Sequence, residues 1–471
     1  MYSNSIRFAT FNLCFLTLAF TSFSQSTTGT NVLTLQRVLE KAVSNYPSIK
    51  AKQAKKAAAE MRLKSSKDDY LPDLITQNQI TYSTSNGLNG SFWPNEGYSV
   101  PTAGGIRPES IYTPVFGSFS TISLNWNIFN FGKIKNNVAY NKSKYEEATA
   151  DYEEELFKHK IKACDAYLLF LVYEKASKLQ EENYKRANDL YTSIKAYTNS
   201  GIRPGTDSSY ARAELSKARI NLLTAQLKEK EQKISLAELI GTDSVDFEVD
   251  TMQFFTNTPE IKTATNFDVK KHPYLLPYEK AVTAGLFEAK RTMSSYYPSF
   301  TLRTIGWARG SGISNTDASK FNPGFADGVD FRAYNYMIGA TFIFNILDYP
   351  KTRHEYKAQL FSVDQMKELY NEEMLQIKGE YEKAASDLLL YQEQAKEAPV
   401  QLNAARAAYS QAKARYDGGL NTLPELTQNY YLLNRAENDM AITINNVWRG
   451  LLIKSAANGD LAIFLDSLNT K

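Results

Sequence analysis

Between Lys133 and Ser200 lie 68 residues without a glycine or a proline. Asn130-Phe131-Gly132 precedes the stretch, and Gly201-Ile202-Arg203-Pro204-Gly205 closes it. Strong helix formers fill it, as in Tyr145-Glu146-Glu147-Ala148 and Ala176 to Leu190. With no internal breaker, the pattern predicts one helix, roughly 100 Å long at about 1.5 Å per residue. That exceeds the ~30 Å core of a bilayer, and the stretch is too polar for lipid. A rod of this length in water can bury its apolar stripe only against other rods.

The N-terminus has the form of a secretory leader. Arg7 is the one basic residue of Met1 to Arg7, Phe8 to Phe20 is mostly apolar, and Ser22-Phe23-Ser24-Gln25 offers small residues for cleavage. Residues 1–25 are therefore expected to be a signal peptide. A retained membrane helix is the other reading, but the apolar run is short for a span. Cys14 lies within that run rather than at the cleavage site, which argues against a lipid anchor. Removing the leader leaves Cys164 alone, so no internal disulfide is expected. A net charge of +3 on 54 basic and 51 acidic side chains argues against a nucleic-acid-binding protein.

The rest of the chain alternates rods with strands. Thr34 to Lys67 carries Leu35, Val38, Leu39, Ala42 and Val43 on one helical face, with Asn45-Tyr46-Pro47 as a break. Leu74 to Ser83 changes to a strand composition. Thr84 to Gly117, with Trp93, Tyr98 and Tyr112, is rich in turn residues and is expected to be a loop. From Phe119 to Phe129, Ile122, Leu124, Trp126 and Ile128 alternate with Ser123, Asn125 and Asn127. A soluble sandwich strand can alternate in this way, but the polar face of Ser and Asn favours a membrane-barrel strand with a wet lumen. After the turn at Gly201, Thr206 or Asp207 is expected to cap a helix to Ile240, in which Leu215, Ala218, Leu222 and Ala225 follow coiled-coil spacing.

The chain then repeats. Asn45-Tyr46-Pro47 returns as Lys271-His272-Pro273, and Leu71-Pro72 as Tyr297-Pro298, both at an offset of 226. Asn127-Ile128-Phe129 returns as Asn345-Ile346-Leu347, Gly201 as Gly419 and Gly241 as Gly459, all at 218. The second hairpin is therefore eight residues shorter, and the order is otherwise kept. It comprises Phe300, Leu302 and Thr304, a loop from Ala308 to Arg332, and an alternating strand from Tyr336 to Ile346 that includes Phe342 and Phe344. A second long helix, Lys351 to Tyr416, contains Pro399, where a bend is expected. Pro424 opens the last helix, whose Leu426, Leu433, Met440 and Val447 recur every seven residues. The parts are a leader (1–25), a first repeat (26–241), a strand-containing equatorial linker (242–266), a second repeat (267–459) and a C-terminal segment (460–471).

Lengths suggest the arrangement. Thr34 to Lys67 and Thr206 to Ile240 stacked end to end match the long helix, which predicts a layer of four rods with a middle joint. Each chain offers four strands, and an open sheet edge in lipid costs several kcal/mol per unpaired backbone group. Strands in a membrane must therefore close with other copies: two copies give about eight strands, and three give about twelve with a lumen.

The ordered, duplicated landmarks resemble the TolC-like outer membrane efflux family from Leu33 to Gly459. They include Leu35-Gln36-Arg37-Val38-Leu39-Glu40-Lys41-Ala42 with Asn45-Tyr46-Pro47, and Trp126-Asn127-Ile128-Phe129-Asn130-Phe131-Gly132. Phe344-Asn345-Ile346-Leu347-Asp348 and Arg415-Tyr416-Asp417-Gly418-Gly419-Leu420 carry it in the second half. Leu347 and Tyr349-Pro350 depart from the pattern, which bears on the local turn. The resemblance implies a mainly α fold with a membrane β-barrel. It is a long coiled-coil α-barrel with an internal two-fold repeat, and four strands per chain enter a 12-stranded trimeric barrel. It also implies an outer-membrane channel of a tripartite efflux system, or of a type I secretion system, reaching into the periplasm. The partners implied are two further copies, outer membrane lipid, a periplasmic adaptor and an inner-membrane pump. No cofactor is implied.

Candidate residues follow. Ile122, Leu124, Trp126, Ile128, Phe342 and Phe344 are expected to face lipid. The tips at Gly201, Pro204, Gly205, Gly418, Gly419 and Leu420 are expected to dock the adaptor. Arg203, Asp207, Tyr210, Asp417, Glu425 and Tyr430 are candidates for narrowing or latching the mouth, through a link such as Arg203 to Asp417 or Glu425. Ordinary helix capping by Asp207 and Glu425 is the plainer reading. The Gly418-Gly419 tip, lacking the internal proline of the first, is expected to be the softer. An enzyme is disfavoured, because His159, His272 and His354 form no ligand-spaced cluster and no phosphate loop or nucleophile elbow is present. A structural coiled-coil surface protein explains the rods but not the alternating strands.

Overall fold

The computed structural model describes residues 32–84, 109–243, 245–249, 254–255, 258–259, 267–314, 317 and 319–468. The leader, Trp93, Tyr98 and much of the 242–266 linker lie outside the described residues.

The long stretch is one helix. In chain order the first repeat has β1 (Val32–Leu33), α1 (Leu35–Asn45), α2 (Pro47–Asp68), β2 (Asp73–Ser83), β3 (Val115–Phe129), α3 (Lys133–Asn199) and α4 (Gly205–Ile240). Thr34 caps α1 by accepting from the Arg37 amide, and α1 buries Leu35, Val38, Leu39 and Ala42. Tyr46 is extended ahead of Pro47, whose fixed φ suits the first position of α2. The cap expected of Thr206 or Asp207 is not formed. Pro204 holds the N-cap position, its extended backbone starting the helix at Gly205, and Asp207 lies inside the first turn.

After β4 (Glu248–Val249), which pairs in parallel with β1, the second repeat has α5 (Leu276–Ser295), β5 (Ser299–Ser311), α6 (Phe325–Val329), β6 (Ala333–Ile343), α7 (Tyr349–Asp417) and α8 (Leu423–Ala457). A short α9 (Ala462–Ser467) ends the described chain. The strand-containing linker thus has a single short strand among its described residues. Pro399 is accommodated inside α7.

The strands form one antiparallel sheet of order β2-β3-β5-β6. β3 starts at Val115 and β5 runs to Ser311, so both penetrate stretches expected to be loop. Backbone pairing overrides composition there: Val115 to Gly117 pair with Ser83 to Thr81, and Arg309 to Ser311 pair with Phe119 to Gly117. At the other end β6 stops at Ile343, and Ile346–Asp348 is a 3-10 turn.

The helices pack in a layer. Beside the sheet the order is α2, α3, α5, α7, and beyond the joint it is α4, α3, α8, α7. The largest core lies at the joint, where α1, α3, α4, α8 and α9 converge on Val38, Tyr167, Leu168, Ile240, Trp448 and Phe464. Gly241 and Gly459 end α4 and α8 at φ +70 and +78. A Cβ on Gly241 would lie 3.0 Å from that of Asn45, and one on Gly459 would lie 3.0 Å from His272 and Pro273. The two landmarks of each repeat therefore meet at its joint.

Candidate functional site

Register divides the sheet into two faces of different chemistry. Asp73, Arg303 and Arg309 are the charged residues of its four strands. The pairings Asp73↔Asn125↔Arg303 and Gln79↔Phe119↔Arg309 put all three on the face that also holds Thr121 and Ser123. The opposite face carries Leu74, Ile80, Tyr82, Ile122, Leu124, Trp126, Phe300, Tyr336, Ile338 and Phe342, with no charge. Its side chains stand free of the chain's own core, and Tyr336 is 81% exposed.

Two candidates for that apolar face lie off the regular ladder. The register shifts between Asn127 and Phe129, so Phe129, not Ile128, pairs with Phe300. Ile128 sits in a β-bulge, which breaks the alternation on which its placement rested. Phe344 follows the end of β6 and packs edge-on against Tyr296, 5.2 Å between ring centres, at the sheet–helix junction. Trp126 is anchored at the same end, its indole N–H donating to the Tyr70 carbonyl at 3.0 Å.

The helix layer ends in two free edges. On α4, Ile220, Leu227 and Ile234 recur every seven residues and are 60, 55 and 58% exposed. On α7, Phe361, Leu375 and Leu389 recur every fourteen and are 75, 70 and 63% exposed. Apolar stripes with heptad spacing are the seams of supercoiled helices, and here they lie on opposite flanks of the layer.

Between the flanks, α3 meets α8 through a polar seam. Arg449 grips Asp165 with two bonds, at 2.7 and 3.2 Å. Asn445 donates to the Leu168 carbonyl at 2.7 Å, and Arg186 pairs with Glu437. Tyr430 belongs to this seam. It is buried, donates to the Asn183 carbonyl at 2.7 Å, and its phenol is pushed up to about 12, chiefly by burial. Its side chain, a candidate for narrowing the mouth, is taken up by interhelix packing in the chain.

The two tips share one geometry. Gly201 and Gly419 both sit at φ +74. Ile202 N–H bonds Tyr197 O at 2.9 Å, and Leu420 N–H bonds Arg415 O at 2.8 Å, the pattern of a Schellman stop. A non-glycine residue there would cost about 1–2 kcal/mol. The second tip, expected to be the softer, leads into the more fully capped helix. Gly418 has φ −79, which any residue adopts, and a capping box of Thr422 and Glu425 secures α8, whereas Pro204 caps α4 without a side-chain bond. Ile202 and Leu420 are both exposed at the apices, and Tyr210 is exposed nearby on α4.

Arg203 does bridge the tips, but to a different partner. Its guanidinium donates to the Tyr416 carbonyl at 2.9 Å and lies 4.7 Å from the centre of the Tyr416 ring. Asp417 is taken by Lys413 on its own helix at 3.0 Å, and Glu425 accepts from the Thr422 amide at 2.9 Å. Local i,i+3 and i,i+4 geometry occupies both carboxylates.

Sequence reasoning gave the histidines no role, but two of them cap helix ends at the joints. His159 Nε2 lies 2.9 Å from Leu239 O, and His272 Nε2 lies 3.0 Å from Ala456 O. A carbonyl only accepts, so each Nε2 carries the proton. Nδ1 of His272 accepts from the Tyr274 amide, which keeps the ring neutral. Burial lowers both pKa values. Repetition of His-Pro and Tyr-Pro at the joints was the available signal.

No helix among the described residues is long and apolar enough to cross a membrane. Comparison of residues 38–242 gives a match to the model of the outer membrane efflux protein family. No curated protein sequence matches significantly. Among solved structures, the outer-membrane channel OprN is 17% identical with a TM-score of 0.70, covering 90% of this chain and 89% of that one. The CmeC outer membrane channel of Campylobacter jejuni is 15% identical with a TM-score of 0.73, covering 95 and 94%. The outer membrane protein VceC of Vibrio cholerae is 16% identical with a TM-score of 0.72, covering 90 and 96%. At these identities the likeness is one of fold.

Proposed function

We infer from the match of residues 38–242 to the outer membrane efflux protein family that this chain is an outer-membrane channel whose strands close, as a homotrimer, into a barrel above a helical tunnel in the periplasm. The observation that carries this reading is the segregation of charge in the sheet: one face uncharged and largely exposed, the other holding every charged residue of the strands. An isolated sheet of this kind leaves the backbone of β2 and β6 unpaired at its edges, which lipid does not tolerate. Three copies supply twelve strands, and β6 of one copy then pairs with β2 of the next.

The helix layer supports the same closure. The α7 stripe of one copy meets the α4 and α2 flank of its neighbour, so both apolar edges are buried by a head-to-tail ring. The tunnel ends at the tips, where exposed Ile202 and Leu420 offer apolar contacts to a periplasmic adaptor coupled to an inner-membrane pump. We expect the mature protein to run as a trimer by mass in detergent and to conduct in planar bilayers. A monomer that keeps its native circular dichroism would refute the closure.

A further inference from the structure

We propose that Arg309 forms a cationic ring in the barrel bore that favours anionic cargo. The inference rests on the channel reading above. The two arginines of the polar face differ in their surroundings. Arg303 shares a cross-strand row with Asp73, with Asn125 between them. Two strand spacings put these opposite charges roughly 10 Å apart, so the row is close to neutral at distance.

Arg309 lies six residues farther along β5, about 20 Å towards the hairpin loops. Its row is Gln79, Phe119, Arg309 and Ala333, which contains no carboxylate. The guanidinium makes no hydrogen bond or ion pair among the described residues. The side chain is partly exposed on the polar face, and no charge balances it within a Debye length of about 8 Å along its row. Rings of arginine or lysine in a pore raise the local concentration of anions and repel cations. Three copies place three such guanidiniums at one level of the bore. The chemical class favoured is a solute carrying carboxylate, sulfonate or phosphate groups.

The test is the reversal potential of the purified trimer in planar bilayers under a potassium chloride gradient. Arg309→Gln is expected to shift it towards the potassium potential, Arg309→Lys to leave it in place, and Asp73→Asn to shift it towards chloride. Asp73→Asn, acting in the opposite direction at another site, shows that the assay reads charge in the bore, and Arg309→Ala repeats the neutralisation if Arg309→Gln assembles poorly. A conducting Arg309→Gln trimer whose reversal potential matches that of the wild type overturns this inference alone, whatever Asp73→Asn does. A wild-type protein that forms neither trimer nor conductance overturns the channel reading and this inference with it.

Discussion

Removing the Arg203 side chain should loosen the inner mouth. Within one chain this guanidinium ties the tip of the first helix pair to the last turn of α7. A hydrogen bond from a charged group contributes about 1.5–3 kcal/mol, and a cation–π contact about 0.5–1 kcal/mol at exposed sites. Two features pull the sum towards the low end. Arg203 is only partly buried, and the Tyr416 carbonyl also accepts from the Gly419 amide at 3.0 Å, so losing Arg203 leaves no orphaned acceptor. About 2 kcal/mol per chain is then the expected loss, near thirtyfold in an opening equilibrium at about 1.4 kcal/mol per decade. Three links released together would multiply to about 10⁴-fold. The assay is single-channel recording of the trimer. Arg203→Ala should raise the time spent at high conductance, and Arg203→Lys, which keeps charge but not the planar fork, should fall between. Asp417→Ala should do little, since Lys413 holds that carboxylate on its own helix. If Arg203→Ala gates as wild type while the trimer mass is intact, the link does not hold the mouth. Opening by Asp417→Ala of equal size would show that the wrong partner was assigned.

The other predictions concern the sheet, the flanks and the joint. Leu124→Arg should destabilise the assembled barrel by about 2–4 kcal/mol if it lies near the midplane, whereas Asn125→Arg on the opposite face should assemble and change conductance; equal tolerance would refute the facing. Leu389→Asp should abolish the trimer, because burying a Leu there contributes roughly 1.5–3 kcal/mol at each of three interfaces, and sedimentation showing wild-type mass would refute the α7 flank as the seam. His272 has a folded pKa below the ordinary 6.5, through burial, so the unfolded chain binds more protons and this contribution to stability is present above pH 6.5 and lost as pH falls below it. Thermal unfolding at pH 7.5 and 5 should therefore show a smaller acid loss for His272→Gln than for wild type, and identical losses would argue against the cap.

The rods, their ends and their duplication are legible in the order of residues alone. An unbroken run such as Lys133 to Asn199 has no competitor to helix, and a glycine two residues past the last turn specifies where it stops. Alternation gave the two faces of β3 wherever pairing was regular. These are local properties, set by propensity and period, and they can be read one element at a time. Tertiary structure decided what local pattern leaves open. Ile128 lost its face because the ladder shifted beside it, and β3 grew to Val115 because β2 and β5 offered partners. Arg203, for which the sequence offered Asp417 or Glu425, meets the Tyr416 carbonyl and ring instead, and both carboxylates have partners one turn away on their own helices. Tyr430 packs into the α3–α8 seam, which the sequence did not show, because a heptad says which residues share a stripe but not which helix that stripe will meet. A residue's partner depends on where a different part of the chain arrives, and that information lies in the packing of whole helices, not in the spacing of letters along one of them.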